Sequence, residues 1–473
     1  MKTIDRSFIN GEFKPTRGTG LFDLYDPSMA EIIGRTVLGD ERDMLDAIES
    51  ARKAFKTFST TSVAERREML LRLHEALKKR EDALVETAIL EYGSPVTATV
   101  GRTRAAANAF LEARETLLDY PLEMKAGKKL VVMEPVGVVG AITPFNADYG
   151  HICGKLAPAI AAGCTVVVKP SENNGLETEL LCRCIQEADI PPGVVNVVEG
   201  RGGELGPILC GHPDVAMINF TGSTRVGKEI AALGAGTMKR FCLELGGKSP
   251  NVILDDADID KAAALALVIG FSNSGQACHA GTRLLVPKKR LNEVEASLKH
   301  EVAKLKIGHL RDADSFIGPL VSRKQFDTVQ AYIRSGLDEG AELLAGGPGH
   351  PEGLGGYYAR PTIFTKVSPS MRIAQEEIFG PVIAVMAYED EEQAVEMAND
   401  TVYGLAAFIS SAAPDRAQRI GRRIRAGMVV VNDTIGAVVA GPAAPLGGMK
   451  ESGLGRAGGR WGLETYLEPK VIA

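Results

Sequence analysis

Short apolar runs rich in β-branched residues recur along the chain at intervals filled by helix-length segments, and this alternation limits the fold more than any other feature. VGVVGAIT (136–143), TVVVK (165–169), VVNVV (194–198) and AMINFT (216–221) read as strands, with helices such as 176–188 between them. Near-continuous apolar strands belong to parallel sheets covered on both faces, because parallel neighbours need a long crossover, usually a helix. A second series follows: a strand at 251–254, a helix over 259–271, a strand at 282–286 and a helix over 290–305. The predicted class is therefore α/β with parallel sheets, and a domain boundary falls near Gly246-Gly247. Residues 40–118 read as mainly helical, with Lys78–Asp82 as a solvated face.

A chain of 473 residues with 45% hydrophobic content can build two or three domains. Its 54 basic and 60 acidic residues are interspersed and leave a net charge of −6, which speaks against a nucleic-acid or anionic-lipid partner. Neither a signal-peptide core nor an apolar run of about 18 residues is present, so the expectation is a cytoplasmic protein with no membrane partner. Seven cysteines, at 153, 164, 182, 184, 210, 242 and 278, form no CxxC pair, so neither a disulfide framework nor a metal site is expected. The glycine-rich segment 346–356 reads as a surface loop between two β segments.

Four short stretches carry chemistry. FTGSTRVGKEI (220–230) runs from a strand through glycine and hydroxyl residues into a helix, an arrangement that suits a pyrophosphate. It lacks the GxGxxG fingerprint with a downstream acid, so an ordinary capped helix explains it equally well. TPFN places Asn146 beyond a strand, LELGG places Glu244 in an apolar setting, and NSGQACHAGTR places Cys278 after a helix. Together they offer an oxyanion donor, a base and a nucleophile. Singly they read as a turn former, a paired structural acid and a small core residue.

TPFN, VVVKPSE, FTGSTRVG, LELGGKSP, GQACHAGTR, EEIFGP and PLGGMKESGLGR stand in the order found in the aldehyde dehydrogenase superfamily, which the chain resembles over nearly its whole length. The resemblance implies a Rossmann-type cofactor domain (1–119 and 134–246), an α/β catalytic domain (247–445), and a β oligomerisation arm with a bridging tail (120–133 and 446–473). It further implies a homodimer or homotetramer that oxidises an aldehyde to an acid with NAD, NADP being less favoured. An aldehyde cannot lose hydride directly without forming an acylium ion, so a nucleophile must add first. Cys278 is the expected nucleophile, passing through a thiohemiacetal to a thioester. Asn146 and the Cys278 N–H form the expected oxyanion hole, and Glu244 the base that activates water. Lys155 and Glu468 match positions that relay the proton, a surface salt bridge being an equally good reading. Lys169 and Glu172 match contacts to the adenine ribose, Glu172 repelling a 2′-phosphate. Gly222 and Ser223 match the pyrophosphate turn, Glu377 the nicotinamide ribose, and Phe379 the residue that positions the ring.

Departures concern the substrate side. Leu446 stands where the family motif has phenylalanine and Phe145 where it commonly has tryptophan, residues 147–151 (ADYGH) are poor in large apolar groups, and Ala457 replaces a common acid. His279 reads as pocket wall. Arg102 and Arg104 would either meet a substrate carboxylate or lie solvated on a helix. The C-terminal run is most similar to succinate-semialdehyde and broad-range members, so a semialdehyde or an aromatic aldehyde is the expected substrate. Two alternatives stand beside this reading. A CoA-acylating dehydrogenase would need no water-activating base, and a non-catalytic binding protein could share the scaffold.

Overall fold

The computed structural model describes residues 2–439 and 444–473. Its architecture is mixed α/β, and the apolar runs read from the sequence lie in two large sheets. In the first, five parallel strands stand in the spatial order Arg240–Glu244, Val215–Thr221, Val138–Ile142, Thr165–Lys169, Val195–Val197. The chain enters at Val138–Ile142, winds outward through the next two strands, then returns to the other side of its starting strand. The doubly wound order reverses between Val138–Ile142 and Val215–Thr221, and a crevice opens beyond the carboxyl ends of strands at such a switch point.

Both faces of this sheet are covered. Helices Val63–Lys79, Val96–Asp119 and Asp148–Ala162 pack Leu70, Leu73, Phe110, Leu156 and Ile160 against Val166 and Val168 on one face. Full burial of each such leucine or isoleucine is worth about 2 kcal/mol. Val167, between those two valines, points into a separate core with Ile142, Ile218 and Leu243, as strand alternation requires.

The second sheet has seven strands, six of them joined in parallel: Thr362–Thr365, Val382–Tyr388, Arg283–Pro287, Pro250–Ile253, Ala406–Ser410 and Met428–Val431. Adjacent residues again face opposite cores, Leu284 and Val385 on one side and Leu285 and Ala384 on the other. The seventh strand, Glu342–Ala345, is antiparallel to Thr362–Thr365, and the glycine-rich segment 346–356 lies in the loop between them, as expected.

A three-stranded antiparallel sheet joins Glu123–Ala126 and Lys129–Pro135 to the C-terminal strand Leu467–Ile472. On its way there the tail adds Gly453–Leu454 to the edge of the first sheet, pairing Gly453 with Glu244. A further small sheet joins Lys2–Ile4, Gly20–Asp26 and Glu31–Leu38. Among the described residues no helix is long and apolar enough to cross a membrane, and no group of three or more metal-ligating side chains gathers.

Candidate active site

Three strands of the first sheet deliver functional residues at their carboxyl ends. Val138–Ile142 runs into Thr143-Pro144-Phe145-Asn146, Val215–Thr221 runs into Gly222 and Ser223, and Arg240–Glu244 ends on the carboxylate itself. The Ser223 hydroxyl caps helix Thr224–Ala235 by accepting from the Val226 N–H at 3.4 Å. No acid occupies the first turn of this helix, so its positive end is free to take an anion such as pyrophosphate.

Cys278 reaches the same crevice through a sharp reversal after helix Ile259–Phe271. Asn273, Ser274 and Gly275 all adopt positive φ, at 56°, 57° and 70°. A Cβ on Gly275 would stand 2.2 Å from the Gly380 carbonyl carbon, so only glycine fits. Asn273 tolerates the left-handed region, and its Nδ2 donates to the carbonyls of Asn146 (3.1 Å) and Gln276 (3.0 Å). The Asn146 Nδ2 also donates to the Gln276 carbonyl, at 2.9 Å. The oxyanion candidate and the cysteine loop are thereby fastened together.

A cavity of about 230 Å³ results, and Asn146, Ser223, Glu244, Cys278, Glu377 and Phe379 line it. Gly222 lines it too, so seven of the residues singled out from the sequence meet in one place. Burial pushes the Glu244 carboxyl up to about 7 against the pull of Lys155 and Arg456. The Cys278 thiol is pushed up to about 12 by burial and by the negative charge of Glu377 and Glu244. A thiol in that state stays protonated near neutrality and needs a base to become a nucleophile.

Glu377 is held by the Gly247 N–H, which donates to its Oε1 at 3.1 Å. Gly246 permits the approach, since a Cβ there would stand 2.4 Å from Glu377 Oε2. Phe379 meets Phe145 edge to face, with centroids 5.7 Å apart. No motif marks Gln325, whose Nε2 donates to the Phe379 carbonyl at 2.8 Å and which lines the cavity. His151 lines it as well.

Lys169 and Glu172 lie beyond the neighbouring strand, at the end of Thr165–Lys169. Lys169 Nζ donates to the Pro170 carbonyl at 2.6 Å and to Glu172 Oε2 at 3.2 Å. Burial raises the Glu172 carboxyl, but the Lys169 ammonium and backbone N–H donors outweigh it and hold the group below its ordinary value. An ionised carboxylate is thus available to ribose hydroxyls, and this set of donors and acceptors fits a dinucleotide.

Lys155 is buried, and its Nζ donates to Asn219 Oδ1 and Thr221 Oγ1, both at 2.7 Å. Glu468 lies on the arm strand, half-exposed, in an ion pair with Arg240, the second of its two readings. Arg240 and Glu244 are the two ends of one strand, about 13 Å apart at 3.3 Å per residue. No hydrogen bond or ion pair joins Glu468 to Lys155 or Glu244 among the described residues. Arg102 is neither solvated nor aimed at substrate. Its guanidinium donates to Asn273 Oδ1 and Ser94 Oγ and lies 5.7 Å from the Tyr92 ring centroid, bracing the cysteine loop. Arg104 pairs with Glu81 on the surface at 2.6 Å. His279, expected as pocket wall, does not line this cavity; burial lowers its imidazole to about 4.

The family model described as aldehyde dehydrogenase family matches residues 13–472. A Pseudomonas protein named 3-succinoylsemialdehyde-pyridine dehydrogenase is 41% identical over the whole of this chain and 99% of its own length. A mutant of aldehyde dehydrogenase C from Pseudomonas syringae, solved with NAD+ and octanal, is 40% identical with a TM-score of 0.96, over 99% of this chain and 96% of that one. Betaine aldehyde dehydrogenase from Staphylococcus aureus, solved with NAD+, is 34% identical with a TM-score of 0.95, over 99% of this chain and 94% of that one. The chain belongs to the aldehyde dehydrogenase family.

Proposed function

We propose that the protein oxidises an aldehyde to a carboxylic acid with NAD, by covalent catalysis at Cys278. One observation carries this reading: Cys278, Glu244 and Asn146 line a single cavity at the switch point of the first sheet. Two relatives solved with NAD+ support the cofactor. Gly222, Ser223 and the helix end at Thr224 would receive its pyrophosphate, Lys169 and Glu172 its adenine ribose, and Glu377 its nicotinamide ribose, with Phe379 against the ring. When bound, the nicotinamide supplies the hydride acceptor.

The thiol proton passes to Glu244 as the Cys278 sulfur bonds to the aldehyde carbon, and the carbonyl oxygen becomes an oxyanion. The second N–H of Asn146 and the Cys278 backbone N–H stabilise that charge; one such donor is typically worth about 3 kcal/mol. Collapse of the oxyanion expels hydride and leaves a thioester on Cys278. Glu244 releases that proton to solvent and then takes one from water as the water oxygen attacks the thioester; the acid departs, and Glu244 returns its proton to the sulfur, restoring the thiol. Lys155, close enough to favour the Glu244 anion, tunes the base electrostatically.

Semialdehydes and aromatic aldehydes head the substrate candidates. The Pseudomonas relative bears the name of a semialdehyde attached to an aromatic ring, and Phe145 offers an aromatic wall. We further infer a homodimer or a tetramer of dimers paired through the arm sheet, and a cytoplasmic setting consistent with seven cysteines that form no disulfide. The activity is tested by following NADH absorbance over a panel of semialdehydes, aromatic and long aliphatic aldehydes. NADH formation that Cys278→Ala abolishes is the expected result, and none with any aldehyde would refute the reading.

A further inference from the structure

His151 stands one turn into helix Asp148–Ala162, immediately after Asn146 in the chain, and a helical side chain leans back toward the helix start. Its Nε2 lies 3.2 Å from Asn146 Oδ1. Asn146 Nδ2 lies 2.9 Å from the Gln276 carbonyl. These two contacts fix each other's polarity. A carbonyl only accepts, so the Asn146 group facing Gln276 must be the NH2 and the group facing His151 must be Oδ1. Oδ1 in turn only accepts, so His151 must carry its proton on Nε2. Turning the amide over would set two acceptors 2.9 Å apart and break the bond to Gln276.

We infer that His151 is a positioning residue of the oxyanion site, holding the Asn146 carboxamide so that its second N–H points at the substrate oxygen. The inference rests on the proposed function, because it assigns Asn146 the developing oxyanion. Without His151, the terminal amide torsion is held only by Gln276, and such sp³–sp² torsions are broad. Both His151 and Asn146 border the cavity that holds Cys278, so a rotation there is felt at the reacting carbon. Burial and the nearby Lys155 ammonium hold the imidazole proton affinity down to about 3. Among the described residues Lys155 is the charged group that acts on it, and the neutral, single-proton form this contact requires persists across the working pH range.

The test compares His151→Leu, which has no donor, with His151→Gln, whose amide N–H can reach Asn146 Oδ1. Each is made in the native chain and in an Asn146→Ala background. Stopped-flow NADH bursts with a saturating aldehyde and NAD report the step in which the oxyanion forms, while NAD affinity and Tm are measured in parallel. His151→Leu is expected to slow the burst about 10-fold or more with NAD affinity and Tm within experimental error of native, and His151→Gln to stay within about 3-fold of native. These are fractions of the 10²–10³-fold effect of deleting such a donor outright. In the Asn146→Ala background His151→Leu should add nothing. If His151→Leu does not fold, His151→Met supplies the same comparison. A donorless variant as fast as native, or one that slows the Asn146→Ala enzyme equally, overturns the inference. A native enzyme that forms no NADH with any aldehyde overturns the proposed function itself.

Discussion

Lys155 Nζ donates to Thr221 Oγ1 at 2.7 Å, and with Asn219 taking a second N–H, two of the ammonium's three donors go to neighbours other than the base. No hydrogen bond or ion pair joins Lys155 to Glu244 among the described residues, and Glu244 Oε1 is buried without a protein partner. Lys155 therefore acts on Glu244 through space, and burial wins, leaving the carboxyl at about 7. A base must be ionised to act, so activity should rise as pH climbs through about 7 and level off above it. The pH dependence of kcat/KM checks this, and Lys155→Met, which removes the cation, should move the acidic limb to higher pH.

Cofactor choice should follow Glu172. Its carboxylate is held ionised by Lys169 at 3.2 Å, where a 2′-phosphate would meet like charge. NAD should be used more efficiently than NADP, and Glu172→Ser should narrow the ratio of the two kcat/KM values by about 10-fold, or about 1.4 kcal/mol. Equal efficiencies in the native enzyme would count against the assignment.

Stability should depend on pH through a carboxyl outside the site. Glu199 is buried, its Oε2 has no protein partner, and burial pushes it up to about 8. Its folded value lies above the unfolded one of about 4.3, so the fold favours the protonated form. That stabilisation is complete below about 4.3 and is lost as pH rises toward 8, at up to about 1.4 kcal/mol per pH unit. Tm should fall between pH 5.5 and 8, and Glu199→Gln should flatten the decline.

Assembly should follow the arm. Glu123–Ala126 is exposed throughout, and Val471 and Ile472 on the opposite edge are 58% and 50% exposed. Unpaired edges of this kind invite another strand. Light scattering at assay concentration should give the mass of two or four chains; a monomer would argue that the arm is capped some other way.

The sequence made the sheets legible because their strands are buried on both faces and run apolar for four to eight residues, as TVVVK does. The strands within residues 2–38 carry no such signal: Glu12–Pro15 alternates polar and apolar residues at a sheet edge. Cys278, Glu244 and Asn146 were readable because each sits in a local motif. Glu468 left two readings open, since its partner Arg240 lies 228 positions earlier and nothing local says which neighbour a strand residue will meet. His151, Gln325 and Arg102 escaped for the same reason: each acts through contacts that only the folded chain assembles.

The central claim is that Cys278 forms a thioester which Glu244 hydrolyses, and Glu244→Gln separates the two events. The variant keeps the shape of the side chain and removes the base. Mixed with aldehyde and NAD, it should release up to one NADH per active site in a burst and then turn over at least about 100-fold more slowly than native. Raising the pH should quicken a burst slowed by loss of the thiol's proton acceptor. Mass spectrometry of the quenched protein should find the acyl group on the peptide containing Cys278. A steady-state rate equal to that of the native enzyme, with no acyl group on Cys278, would contradict the account.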